Sequence, residues 1–175
     1  MKISIITIAF NAQATIADAV ESVVNQRGDN FELEYVIVDG ASTDGTLDAI
    51  APYREQISTV ISEPDQGLYD AMNKGVAAAT GDFIGILNAD DQYAHDAVLG
   101  HVASCLLSSS ADSLYGDLVY INEAHEITRH WKSGGYRNGQ FNPKEFLNGW
   151  MPPHPSFFLR KSAYEVQHGK CCYCG

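Results

Sequence analysis

The sequence predicts an α/β fold, a mainly parallel sheet with helices on both faces, and three observations carry that prediction. Its short apolar runs, rich in Ile and Val, lack the apolar-polar alternation of a half-wet strand, as strands buried on both faces do. Segments of helical period separate these runs, the pattern of parallel strands joined by helical crossovers. Two of the runs also stop abruptly at polar, Asp-bearing clusters, as strands do where a sheet opens onto a binding edge.

The elements follow in order. Lys2 to Ala9 has four Ile and no turn residue and predicts the first strand; Thr15 to Gln26 places Ile16, Val20, Val23 and Val24 on one helical face. Leu33 to Val38 predicts a second strand, Thr46 to Tyr53 a helix, Thr59 to Ser62 a short strand, and Leu68 to Thr80 an Ala-rich helix closed by Gly81. Phe83 to Leu87 is strand-like, Ala94 to Leu107 helical, Ser108 to Ser110 a loop, and Leu114 to Ile121 a further strand. From Ile127 to Pro155 the chain becomes rich in Gly, Asn, Pro and aromatic residues, without an internal repeat.

The 175 residues suit one domain with a self-sufficient core, and 45% apolar with 19% charged residues is the composition of a folding chain. A net charge of -11 argues against a broad grip on DNA or RNA, so no nucleic-acid partner is expected, and an anionic ligand would need a cation or a helix N-terminus. No apolar run reaches the roughly 18 residues of a membrane span. The opening MKISIITIAFNAQA imitates a short signal peptide, but Ser4 and Thr7 interrupt it and a strand is the better reading. Cys105 stands apart and the other three Cys crowd the last five residues, which is no disulfide framework and points to a cytoplasmic setting.

The chemistry is expected at the strands' carboxyl ends. The first strand runs into Phe10 to Ala12, the second into DGASTDGT (Asp39 to Thr46), and the Phe83 strand into NADD (Asn88 to Asp91). Each cluster has a plainer reading, with Gly40 and Gly45 as turn residues, Ser42, Thr43 or Asp44 as helix caps, and Asp91 as a cap. Two acidic clusters on one edge favour a site, because neighbouring carboxylates raise each other's pKa or require a cation, and oxygen-only ligation suits Mg2+ or Mn2+.

The segments SIITIAFNAQATIADAVESVVNQ, VDGASTDGT, SEPDQGLYDAMNKGVAAATGDFIGILNADD and HPSFFLRKSAY together resemble the family-2 glycosyltransferases of GT-A fold, over nearly the whole chain to about His168. The resemblance implies a Rossmann-like nucleotide-sugar-binding half (1–110) and a partial acceptor-side half (111–168), with a tail at 169–175 that is disordered or foreign to the family. It places Ala9, Phe10 and Asn11 near base and ribose, with Ser42 in the adjoining turn and Asp39 as the base contact. Gly67, Asp70, Asn73 and Lys74 fall on the helix motif beside the nucleotide, although Asp70 and Lys74 also have the spacing of a surface ion pair.

The family's acidic signature is Asp, any residue, Asp, so Asp90 matches the metal-coordinating position and Asp91 supports it. Asn88 departs from the common form, replacing a carboxylate by a neutral amide that can still accept a hydrogen bond from the nucleotide sugar or coordinate the metal through its oxygen. His154 is a third metal candidate, or else an ordinary loop histidine. The implied activity is metal-dependent transfer of a sugar, with inversion, from a nucleotide-diphosphate sugar to a glycan or lipid-linked acceptor, in the cytoplasm or peripherally at the inner face of the membrane.

The aromatic segment Trp131 to Trp150, with Tyr136, Phe141 and Phe146, is expected on the acceptor side, Phe146 rather filling a small core. No catalytic base is assigned, since HGKCCYCG does not resemble the family's acidic continuation. A fragment, an altered terminus or a homologue that only binds nucleotide sugar would each give such an end. Cys171, Cys174 and His168 have metal-ligand spacing, which one pair alone does not make a zinc site. A nucleotidyltransferase is disfavoured because no Gly-rich basic loop follows the first strand.

Overall fold

The computed structural model describes residues 1–122, 124–133, 149 and 151–165. Its main sheet has six strands: β1 (Lys2–Ala9), β2 (Glu32–Asp39), β3 (Thr59–Ser62), β4 (Phe83–Asn88), β5 (Ser113–Tyr115) and, out of numerical order, β8 (Phe157–Arg160). The spatial order is β3-β2-β1-β4-β8-β5. The first four strands are mutually parallel, while β8 runs antiparallel to both β4 and β5. The remaining strands, β6 (Leu118–Ile121) and β7 (Ile127–Trp131), form a separate two-stranded ribbon.

Helices cover both faces of the sheet, which explains why β1 shows no alternation. On one face, Ile3 and Ile5 pack with Ile16, Val20 and Val23 of α1 (Ile16–Val24), Ile50 of α2 (Thr46–Ile50) and Leu99, Val102 and Leu106 of α4 (Val98–Ser108). On the other, Ile6 and Ile8 pack with Ala71, Met72 and Val76 of α3 (Leu68–Ala78) and Tyr164 of α5 (Lys161–Glu165). Ile3, Ile5 and Ile6 are fully buried, each side chain contributing about 1.5–3 kcal/mol by leaving water.

The parallel core agrees with the pattern in the sequence, and three local features do not. The helix placed over 46–53 stops at Ile50 and tightens into a 3-10 turn, Ala51–Tyr53, with Pro52 inside it. Helix α4 begins at Val98 rather than at Ala94. The single strand placed over 114–121 is broken at Gly116–Asp117 into β5 and β6, and β6 leaves the sheet to pair with β7. The HPSFFLRKSAY segment, to which the sequence assigned no element, supplies β8 and α5, β8 lying between β4 and the edge strand β5.

A polar knot closes the amino-terminal edge. Buried Glu34 accepts hydrogen bonds from Ser4 Oγ (2.5 Å), Thr80 N–H (2.6 Å) and Thr80 Oγ1 (2.5 Å), and lies 3.0 Å from Lys2 Nζ. Burial opposes its charge, but those donors prevail and bring its pKa down to about 2. Deeper in, Tyr35 is fully buried with its hydroxyl 2.9 Å from Thr7 Oγ1, and burial pushes its pKa up.

Candidate nucleotide and cation site

The register of the parallel strands gathers the polar clusters on one edge. Ala9 pairs with Asp39, Asp39 with Ser62, and Ile8 with Asn88, so β1 to β4 all end at the same level. Strand order reverses between β1 and β4, and a crevice opens beyond the strand ends at such a reversal. Ala9, Phe10 and Asn11 lie on one side of it, and Asn88, Asp90 and Asp91 on the other.

The loop after β1 is laced to the turn after β2. Asn11 N–H donates to Ser42 Oγ (2.8 Å), and Thr43 N–H donates to Asn11 Oδ1 (3.0 Å). Ala12 N–H reaches Thr46 Oγ1 (2.8 Å), Gln13 N–H reaches Asp44 Oδ2 (3.1 Å), and Gly45 N–H reaches Gln13 Oε1 (3.1 Å). Asp44 also accepts from the hydroxyl and N–H of Thr46, and the hydroxyl bond lowers its pKa most. Asn11 (φ 50) and Ala41 (φ 62) hold left-handed backbone in these two loops, so unfavourable conformations concentrate where the loops meet.

Asp39 is wholly buried at the end of β2. It accepts from Ser42 N–H and Oγ and from Ser62 Oγ (2.7 Å), which ties the ends of β2 and β3 together. Ser42 is therefore both a donor to Asp39 and an acceptor from Asn11. Phe10, in contrast, is 65% exposed. A Cβ at Gly40 would sit 2.5 Å from Asp65 Oδ2 and 3.3 Å from the Phe10 ring, so a larger residue here would push the Asp65 carboxylate of the β3–α3 loop away from this turn.

That loop enters α3 through Gly67, whose φ of 111 suits glycine and whose missing side chain leaves open space. Asp65 accepts from Gly67 N–H (2.8 Å), and Asp70 accepts from Gln66 N–H (3.1 Å), a capping interaction. Lys74 lies 3.0 Å from Glu63 and 3.4 Å from Asp70, and donates to Pro64 O (2.8 Å). The Glu63 contact foremost raises the Lys74 pKa; the Gln66 bond foremost, with Lys74 helping, lowers that of Asp70. Lys74 thus clamps the loop to the helix, and Asp70 works as a cap and ion pair. Asn73 presents a buried Oδ1 with no hydrogen-bond partner.

At the end of β4, Asp90 is exposed and Asp91 is half-buried. Burial foremost raises the Asp91 pKa and the charge of Asp90 adds to it, while a 2.8 Å hydrogen bond from Asn88 Nδ2 opposes both. Asn88 Oδ1 is buried without a partner. The antiparallel register of β8 on β4 brings the 3-10 turn His154–Ser156 beside this end of β4. Burial lowers the His154 pKa, favouring the neutral imidazole that can ligate a cation.

Among the described residues no three or more His, Cys, Asp or Glu converge to cage a metal. The oxygen donors present, Asp90, Asp91 and the partnerless Asn88 Oδ1, fit in kind a hard cation whose remaining positions go to water and phosphate oxygens, the usual arrangement for Mg2+.

Sequence reasoning missed Ser62, Asp65 and Gln13. Ser62 was readable as a strand end, but its bond to Asp39 depends on the β2–β3 register. A cleft of about 170 Å³ lined by Ala94, Asp117, Leu118, Val119, His130, Trp131 and Lys132 adjoins the segment after Asp91. It holds the one described member, Trp131, of the aromatic set expected on the acceptor side. Tyr136, Phe141, Phe146 and Trp150 lie outside the described residues, as do His168, Cys171, Cys174 and the 169–175 tail.

Comparison with known proteins agrees with this geometry. The sequence is 38% identical over 120 residues to a PGL/p-HBAD biosynthesis glycosyltransferase of Mycobacterium bovis, covering 66% of this chain and 46% of the relative. It is 34% identical over 117 residues to the putative teichuronic acid biosynthesis glycosyltransferase TuaG of Bacillus subtilis, covering 65% and 46%. The chain thus spans about half the length of the curated relatives it matches.

Among solved structures, S. aureus TarS 1-349 in complex with UDP-GlcNAc superposes with a TM-score of 0.72 at 20% identity, covering 94% of this chain and 47% of that one. The mannosyltransferase PcManGT of Pyrobaculum calidifontis, in complex with GDP-Man and Mn2+, superposes with a TM-score of 0.66 at 19% identity, covering 93% and 45%. These likenesses establish the GT-A fold. The model of Glycosyl transferase family 2 matches residues 4–167, and the chain belongs to that family.

Proposed function

We propose that this chain forms the donor-binding part of a glycosyltransferase that takes a nucleotide-diphosphate sugar at the carboxyl edge of β1, β2 and β4. The sugar passes to a glycan or lipid-linked acceptor with inversion at the anomeric carbon. The observation that carries this reading is the register that levels Ala9, Asp39, Ser62 and Asn88 at one edge. The relatives' names, which speak of glycolipid and wall-polymer synthesis, and the nucleotide sugars in TarS and PcManGT support the substrate class.

In this reading the Phe10–Ala12 loop and the Asp39–Thr46 turn bind the nucleoside; Asp39, expected from the sequence as the base contact, is wholly buried against Ser42 and Ser62 and holds the turn from beneath. Gly67, at the open entrance to α3, allows the diphosphate to approach backbone. Lys74, the described cation in the site's helix motif, is engaged by Glu63 and Asp70, so the chain's own charge offers little to a diphosphate. Asp90, with Asp91, Asn88 and His154 beside it, would hold Mg2+ or Mn2+. When bound, such a cation supplies Lewis-acid stabilisation of the charge developing on the leaving diphosphate. Inversion requires a base on the face opposite the leaving group, and the described residues are assigned none.

No helix among the described residues is long and apolar enough to cross a membrane. We place the protein in the cytoplasm, with peripheral contact at the inner membrane face an accompanying proposal for a lipid-linked acceptor.

The test incubates the chain with UDP-, GDP- and dTDP-sugars and Mn2+, and follows nucleotide release and binding. Saturable binding with release of nucleoside diphosphate supports the transferase reading. Binding without turnover supports a nucleotide-binding homologue, and binding of none of the three contradicts both.

A further inference from the structure

The carboxamide at position 88 stands where the family's acidic signature usually has a carboxylate, and its two ends do different things. Strand β4 turns Ile84, Ile86 and Asn88 to the face that α3 covers, leaving the Asn88 side chain half-buried at the edge. Asp91 N–H donates to Asn88 O (3.1 Å), and Asn88 Nδ2 donates to Asp91 Oδ2 (2.8 Å). Backbone and side chain therefore fix the same residue from the same partner. The amide turns its NH2 end to Asp91, the end that donates to an ionised carboxylate.

An Asp at this position would put a second anion about where the donor now sits, against a half-buried Asp91 that already adjoins Asp90. Like charges at that range repel in a partly desolvated site, and a bound cation would be needed to hold them together. With Asn the arrangement stands without one.

We infer that Asn88 is a positioning residue: its amide nitrogen holds Asp91 in place as a cation would hold two carboxylates, so the edge is ordered before any cation binds. Its Oδ1 is buried without a hydrogen-bond partner. This inference rests on the donor-site reading above and adds to it the order of events, protein geometry first and cation second.

The test compares the native chain, Asn88→Asp, and the exchanged pair Asn88→Asp with Asp91→Asn, by thermal unfolding in chelator and in Mn2+. Mn2+ affinity is measured by calorimetry without nucleotide. Asn88→Asp should lower Tm in chelator by roughly 3–8 °C, the shift expected for loss of one such interaction in a chain of this size. Mn2+ should recover most of that loss and bind on the order of tenfold tighter than to the native chain, since one more charged ligand is present. The exchanged pair restores donor and acceptor in opposite order and should recover stability in chelator.

An exchanged pair that is no more stable in chelator than Asn88→Asp would overturn the inference, even if the single variant does not fold. So would an Asn88→Asp variant that is native-like in chelator. Nucleotide binding by the native chain, measured in parallel, separates the claims: if it is absent while the Mn2+ pattern holds, the donor-site reading fails and the Asn88–Asp91 pairing stands.

Discussion

Ser62, at the end of β3, donates its hydroxyl at 2.7 Å to Asp39, at the end of β2. Asp39 is fully buried, so this bond and those from Ser42 provide the solvation that the carboxylate loses. Hydrogen bonds to a charged group contribute about 1.5–3 kcal/mol each. Ser62→Ala should cost stability in that range by urea unfolding, and Asp39→Ala should cost more, because it strands both serines and loosens the turn. Both should weaken nucleotide binding. A Ser62→Ala chain of native stability would show the contact to be incidental.

Lys74 gives a prediction about division of labour. Its contacts are with Glu63, Asp70 and Pro64 O, which makes it a clamp on the β3–α3 loop. Lys74→Met should weaken nucleotide affinity several-fold while leaving the response to Mn2+ intact, as titrations at several Mn2+ concentrations would reveal. Loss of the Mn2+ response in this variant would place Lys74 on the phosphates instead.

The acid limb of stability should belong in large part to Glu34. Its folded pKa of about 2 lies below the unfolded value of 4.5, so the stabilisation is fully present above about pH 4.5 and disappears as pH falls toward 2. The difference corresponds to about 3 kcal/mol. Urea unfolding from pH 6 to pH 2 should show that loss in the native chain. Glu34→Gln should start less stable at pH 6 and lose correspondingly less over the same range.

Tyr93 follows the acidic turn, and its hydroxyl is buried with no hydrogen-bond partner. Burial foremost raises its pKa, so the group stays neutral. Tyr93→Phe removes an unsatisfied hydroxyl while keeping the ring, and should be neutral or stabilising by up to about 1 kcal/mol. A loss above 1 kcal/mol in thermal or urea unfolding would mean that the hydroxyl has a working partner.

The sheet was legible because burial on two faces leaves a signature that needs no partner to be read: Ile3, Ile5, Ile6 and Ile8 without alternation, then a helical period. The edge was legible for the same reason, since Asp39 and Asn88 end apolar runs. What the sequence hid was register and pairing. Nothing local in LVYI shows that β6 leaves the main sheet for β7, because either partner satisfies an apolar strand. Nor does Asp70-x-x-x-Lys74 reveal that Glu63 and Pro64, a loop away, share the lysine. In the sequence Asn88 reads as a neutral group facing the nucleotide sugar or the metal, and its donation to Asp91 emerges only when the turn's geometry places Nδ2 against Oδ2.

The central claim is that an acidic chain accepts a diphosphate through a cation held at Asp90, and calorimetric titration with UDP and GDP, with and without Mn2+, tests it most directly. Asp90 is exposed, so Asp90→Ala should fold as the native chain does. The account predicts that Mn2+ tightens nucleotide binding to the native chain at least tenfold, a difference of about 1.4 kcal/mol, and leaves binding to Asp90→Ala unchanged. Equal tightening in both proteins would contradict it.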